Sequence, residues 1–220
     1  MQSRSKTRTF AVAFIAAIVL FSSGATRAQI GPIGEPAKII RIPGVVNAGS
    51  VTATLFRGAQ PHSSAYKDLQ KYGMDIVVDL RYETDEISAE KQSVESLGMR
   101  FVSLPWNGRG LPTRDELLTY FTLLRDNPDK KFFIHCEYGA DRTGVMIALY
   151  RMAVDHWTPE QAIAEMKDFH YHSFTLPHLA KYVKEFPAAL AADPSLASTV
   201  PAPRPSAPVA KITANQPPTP

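Results

Sequence analysis

The chain holds one cysteine, Cys136, among 220 residues. An internal disulfide is therefore excluded, and so is the bridge-stapled scaffold common among small exported domains. A lone thiol also has no resolving partner within its own chain if it is oxidised to the sulfenic acid. Acidic residues are missing from residues 1–28, which carry four of the 24 Lys and Arg and none of the 21 Asp and Glu. The remainder holds 20 basic against 21 acidic residues, so its charge is close to balanced. The basic footprint of a nucleic-acid-binding domain is absent, and no nucleic acid partner is expected. Long apolar runs are absent as well. Phe10 to Phe21 falls short of the ~20 residues that a membrane-spanning helix needs.

That run has another reading. Arg4, Lys6 and Arg8 precede it, and the small residues Ser22 to Ala28 follow. A basic stretch, an apolar core and small residues make a signal peptide over 1–28, with cleavage expected after Ala28. The mature protein is then expected to be periplasmic or secreted, with no stable membrane insertion. An uncleaved N-terminal anchor is the alternative. At the other end, residues 192–220 hold eight of the 18 prolines without apolar periodicity, which predicts a disordered Pro/Ala-rich tail. A single domain over 37–190 remains, a normal size for one core.

Within it, strand and helix signals alternate. Strands are expected at Val51–Phe56, Asp75–Leu80, Arg100–Leu104 and Lys131–His135. Between them lie helical patterns: one opened by Ser63 or Ser64 and closed by Gly73, one over Glu83–Leu97 and one from Thr113 with Glu116 completing a capping box. After the last strand come a helix over 142–154, a second capping box at Thr158 and Gln161, and a final helix from about Leu176 to Leu190. Nearly continuous apolar strands separated by helices predict an α/β fold with a central, mostly parallel sheet of about four or five strands flanked by helices. Ligands of such sheets collect at the carboxyl ends of strands.

Cys136 stands at such an end, in His135-Cys-Glu-Tyr-Gly-Ala-Asp-Arg-Thr-Gly144. A cysteine closing a strand, with an arginine six positions on as a helix begins, suits a phosphate-sized dianion. Successive backbone N–H groups of Glu137, Tyr138, Gly139, Ala140, Asp141 and Arg142 can converge on it, helped by the helix N-terminus. The Arg142 fork matches two phosphate oxygens. The same amides and dipole favour the thiolate, the nucleophilic form of cysteine.

The ten residues resemble the HCxxGxxRTG signature of the cysteine-dependent protein-tyrosine and dual-specificity phosphatases. Phe56-Arg-Gly-Ala-Gln-Pro61 and Val77-Val-Asp-Leu-Arg81 are similar to segments of bacterial and fungal dual-specificity-like members, and the resemblance spans most of residues 51–185. It implies a phosphoester hydrolase of the protein-tyrosine-phosphatase kind, working through a cysteinyl-phosphate on Cys136 with no metal and no cofactor. Arg142 would bind the phosphoryl oxygens, Thr143 would hydrogen-bond the sulfur, and His135 would order the loop from the opposite face of the strand. Members of the superfamily commonly draw the leaving-group proton from an aspartate on the segment before the signature strand. That segment here, Leu104 to Pro112, has Asn107 and no carboxylate. Asp141 matches a CxxGxDRTG variant in which the loop aspartate serves, and Asp115 is the alternative. Arg57 and Arg81 are candidates for substrate phosphate, for an ion pair or for a loop carbonyl, and His170 and His172 for surface or packing roles. The expected substrate is a phosphorylated protein or small phosphoester. An inositol-phosphate or phosphoinositide substrate, and an inactive phosphate-binding module, are the competing readings.

Overall fold

The computed structural model describes residues 33–82, 85–107 and 110–203. The proposed signal peptide lies outside them, and no helix among the described residues is long and apolar enough to cross a membrane. Among the described residues six strands form one sheet: β1 (Lys38–Ile39), β2 (Gly49–Ser50), β3 (Leu55–Ala59), β4 (Ile76–Asp79), β5 (Arg100–Ser103) and β6 (Phe132–Cys136). Their order is β1-β2-β3-β6-β4-β5. The four strands β3, β6, β4 and β5 run parallel, and the two-residue strands β1 and β2 add an antiparallel edge. The sheet is therefore mostly parallel, as expected, with one strand more than expected because the edge strands are too short to leave a periodic signal. Central β6 is hydrogen-bonded on both sides, its last residue, Cys136, in register with Ala59 of β3. The position of the thiol is fixed by the β3 ladder at Cys136 itself and by the β4 ladder up to His135.

Among the described residues there are seven α-helices, packed on the sheet or on one another: α1 (Tyr66–Lys71), α2 (Asp85–Ser96), α3 (Arg114–Asp126), α4 (Asp141–Ala153), α5 (Pro159–Asp168), α6 (Pro177–Ala192) and α7 (Pro194–Ala197). Both expected capping boxes are present, Thr113 with Glu116 on α3 and Thr158 with Gln161 on α5. The pleat of β6 sends Phe132, Ile134 and Cys136 into the larger apolar cluster, with α3 to α6, while Phe133 joins the smaller one, with α1 and α2. His135 shares the Phe133 face, away from Cys136, as the alternation requires.

Two boundaries differ from expectation. The first parallel strand starts at Leu55 rather than Val51, because the Thr52 hydroxyl accepts from the amides of Thr54 and Leu55 and closes a turn there. Arg57 and Gly58 thus lie within β3 and do not end it. The domain also runs past residue 190. Asp193 caps α7 and pairs with Arg114 of α3, Arg125 donates to the Ser198 carbonyl, and Leu196 is buried. The Arg114 guanidinium, with the Leu196 amide, pulls Asp193 down to about 2. A lowered carboxyl favours the folded form above the ordinary carboxylate range, about 4, and that contribution is lost as pH falls through about 2. The protection of the amides over residues 195–200 relative to their intrinsic exchange should accordingly fall in acid, and Asp193→Asn should lower it at neutral pH.

Arg151 of α4 ties the N-terminal strap to the body. It is 1% exposed, donates to Asp155 at 2.7 Å, to Glu165 at 3.1 Å and to the Glu35 carbonyl at 3.0 Å, and lies over the Trp157 ring. Removing the cation would leave two buried carboxylates uncompensated. Arg151→Met should cost about 3–5 kcal/mol of stability, read as a lower urea midpoint at unchanged slope.

Candidate active site

β6 delivers Cys136, 2% exposed, to the carboxyl end of the sheet, where Glu137 to Ala140 turn into α4. Three successive carbonyls of this loop are tied back by donors from elsewhere in the chain. The Gln60 amide reaches Glu137 O at 3.2 Å, the Asn47 side chain reaches Tyr138 O at 3.3 Å, and Arg57 Nη2 reaches Gly139 O at 2.7 Å. In a planar trans peptide the following N–H points opposite to the carbonyl. The amides of Tyr138, Gly139 and Ala140 are thereby turned away from these donors, toward the side from which an anion can approach. Gly139 makes the turn possible: its φ is +66°, and a Cβ there would lie 2.3 Å from the Gly58 carbonyl carbon.

Arg57, fully buried within β3, is the main support. Its guanidinium stacks 4.0 Å over the Phe169 ring, and burial draws it down to about 10, opposed by the negative charges of Glu165 and the Cys136 thiolate. It remains charged at neutral pH. Of the roles open to it in the sequence, the structure selects the loop carbonyl.

Arg142 opens α4 beside the loop and donates through Nη1 to Leu80 O at 3.3 Å and Trp106 O at 3.2 Å. Two bonds through one nitrogen fix the plane of the fork and leave its Nε–Nη2 edge for an oxyanion. Thr143 is fully buried, and its hydroxyl has no partner among the described residues. The expected bond to the Cys136 sulfur is thus not formed in this structure. A buried hydroxyl left unpaired costs ~1–3 kcal/mol, and it is free to rotate toward a partner that gains charge.

Beneath the strand, His135 Nε2 lies 2.9 Å from Glu90 Oε1, too far off axis for a well-aligned hydrogen bond. Arg81 grips Asp79 through Nε and Nη2 and also reaches Glu90. Asp79, Glu90 and His135 bring ligand atoms within 4.8 Å of one another, yet the guanidinium already occupies the cation position between the carboxylates. The set fits an ion-pair network under the loop better than a metal. Arg81 therefore serves there rather than on substrate.

The two proton-donor candidates separate. Asp115 sits exposed in the first turn of α3, where the dipole accounts for a carboxylate, and it makes no bond to the loop. Asp141 stands at the loop's end and accepts from His172 twice, Oδ1 from the backbone amide at 2.9 Å and Oδ2 from Nδ1 at 2.8 Å. His172 is exposed and has a definite partner in Asp141, and no motif around it signals this. Asn47, 91 residues from the carbonyl it holds, left no sequence signal either. Beside the loop lies a cleft of ≈ 500 Å³, lined in part by Val46, Gln60, His62, Glu86, Glu137 and Tyr138.

The family model described as "DSP-PTPase phosphatase fused to NAD+ Kinase" matches residues 45–181. The dual specificity protein phosphatase TpbA of Pseudomonas aeruginosa is 27% identical over 122 residues, 56% of this chain and 54% of that protein. The chain thus spans about half the length of this curated relative. The crystal structure of TpbA superposes with a TM-score of 0.57 at 24% identity, covering 67% of this chain and 88% of the other. TpbA with a serine in place of a cysteine has also been solved in complex with pTyr. Human phosphatidylglycerophosphatase and protein-tyrosine phosphatase 1 is 26% identical over 142 residues, 62% of this chain and 71% of that protein. The catalytic core of the yeast PP-IP phosphatase Siw14 shares the fold, with a TM-score of 0.57 at 15% identity over 71% of this chain and 98% of the other.

Proposed function

Because the chain belongs to the DSP-PTPase phosphatase family, we propose that it hydrolyses phosphate monoesters through a cysteinyl-phosphate on Cys136, with phosphotyrosine as the preferred substrate. The observation that carries this reading is the tied-back loop, three carbonyls anchored outward around a buried cysteine with Arg142 braced beside it. In the first step the sulfur attacks phosphorus and the bond to the ester oxygen breaks. The leaving oxygen takes a proton from the rim, where Asp141 stands. In the second, water attacks phosphorus, the P–S bond breaks and inorganic phosphate departs. The amides of residues 137–142 and the Arg142 fork meet the equatorial oxygens, whose charge is spread in the transition state. Thr143 turns its hydroxyl to the sulfur as the thiolate leaves.

The relatives act on differing phosphoesters by their names. Phosphotyrosine is favoured over inositol polyphosphates because the cleft beside the loop carries Glu86 and Glu137, whose charges repel a polyanion. We further propose that residues 1–28 direct export, with cleavage after Ala28; N-terminal sequencing of the secreted or periplasmic form checks this.

A panel of phosphotyrosine and phosphoserine peptides, phosphoinositides and inositol phosphates tests the substrate. Phosphotyrosine peptides should give the highest kcat/KM. Preference for an inositol polyphosphate would overturn the assignment, and phosphate binding without turnover of any ester would leave only a binding module.

A further inference from the structure

We propose that His172, held by Asp141, is the proton donor to the leaving group, an assignment that rests on the phosphatase reading above. Four observations carry it. Among the described residues from Leu104 to Asn107 no carboxylate stands where one would protonate a leaving oxygen. Both oxygens of Asp141 are engaged by one residue, His172. The proton shared between Oδ2 and Nδ1 is enclosed within the pair, so the outward proton site is Nε2 of the ring. The His172 side chain is 54% exposed, against 14% for that of Asp141, so the ring is the member of the pair open to an incoming group.

The pair is also rigidly placed. The His172 carbonyl accepts from the amides of Thr175 and Leu176, and the neighbouring Tyr171 hydroxyl donates to Leu176 O and accepts from the Ala180 amide. The ring is thus fixed by its backbone as well as by Asp141, which is the first residue of α4 and precedes Arg142. A carboxylate on Nδ1 sets the tautomer and steadies the ring when it is charged.

The step balances without a further reactant. Imidazolium carries N–H on both nitrogens. As sulfur bonds to phosphorus, the P–O electron pair passes to the leaving oxygen, which takes the Nε2 proton. Neutral His172 keeps its Nδ1 proton on Asp141. In the second step Nε2 accepts a proton from the attacking water as the P–S bond breaks, and the imidazolium is restored. Asp141 is then a positioning residue and His172 the catalytic one.

The test compares His172→Gln, Asp141→Asn and wild type on 4-nitrophenyl phosphate, whose leaving group needs no proton, and on phenyl phosphate, whose leaving group does. His172→Gln should lose roughly 10²-fold in kcat/KM, which reports the first step alone, on phenyl phosphate and less than about threefold in kcat/KM on the nitrophenyl ester. Retained turnover of the latter shows that the loop is still assembled. Asp141→Asn should show the same selectivity at smaller amplitude. Equal loss of both substrates in His172→Gln, or no loss, would overturn the assignment. So would a selective loss confined to Asp141→Asn, which would make the carboxylate the donor. Wild type inactive on both esters would remove the phosphatase reading and this one with it, whereas active wild type with an indifferent His172→Gln removes only the role of His172.

Discussion

Cys136→Ser should reduce turnover of an aryl phosphate by roughly 10⁴-fold, about 5.5 kcal/mol of transition-state free energy, while leaving KM nearly unchanged. The substitution changes one atom at a position 2% exposed and paired with Ala59 of β3, so the loop around it stays in place. The amides and Arg142 still bind the phosphoryl group in the ground state. What is lost is the nucleophile: a serine hydroxyl does not ionise near neutral pH, even with Arg57 beneath it and the helix N-terminus in front. A fall in kcat at constant KM marks an interaction made only in the transition state. Steady-state kinetics on 4-nitrophenyl phosphate, with competition by a phosphotyrosine peptide to report binding, checks both halves.

Gly139→Ala should lower kcat/KM by roughly 10²-fold, the loss that follows a displacement of about 1 Å in a positioned group. Two constraints act together at this residue. A side chain at φ +66° is disfavoured, and the new Cβ would fall 2.3 Å from Gly58 C and 2.5 Å from Ala59 N, atoms of a strand that cannot give way. The loop must therefore lift from β3, breaking the Arg57 bond to Gly139 O and turning the following amides out of line. Unlike Cys136→Ser, this variant should weaken binding of inorganic phosphate as well as turnover. Unchanged inhibition by phosphate would mean that the cradle does not depend on the approach of β3.

The contrast between these residues and the others explains what the sequence made legible. The strand, loop and helix around Cys136 are contiguous, so their order and spacing expose the phosphate cradle directly. β4 and β6 are buried on both faces and read as apolar runs, and the helices opened by Thr113 and Thr158 announce themselves through capping boxes a few residues long. β3 starts later than its β-rich residues suggest because the Thr52 hydroxyl closes a local turn that β propensity does not register. The prolines after residue 192 suggested disorder, whereas Pro194 opens a short helix docked through Asp193 and Leu196. What holds the loop was hidden for a different reason. Asn47, Arg57 and His172 act from 91, 82 and 31 residues away, on carbonyls or a carboxylate that carry no sequence pattern. Only the folded chain brings them to the loop.

In the proposed mechanism phosphate passes through sulfur. Rapid acid quench of the enzyme with a phosphotyrosine substrate, followed by peptide mass spectrometry, reads it directly. The account predicts one phosphoryl group on the peptide containing Cys136, formed within the first turnover and absent from Cys136→Ser. Turnover by wild type with no such adduct, or undiminished turnover by Cys136→Ser, would contradict it.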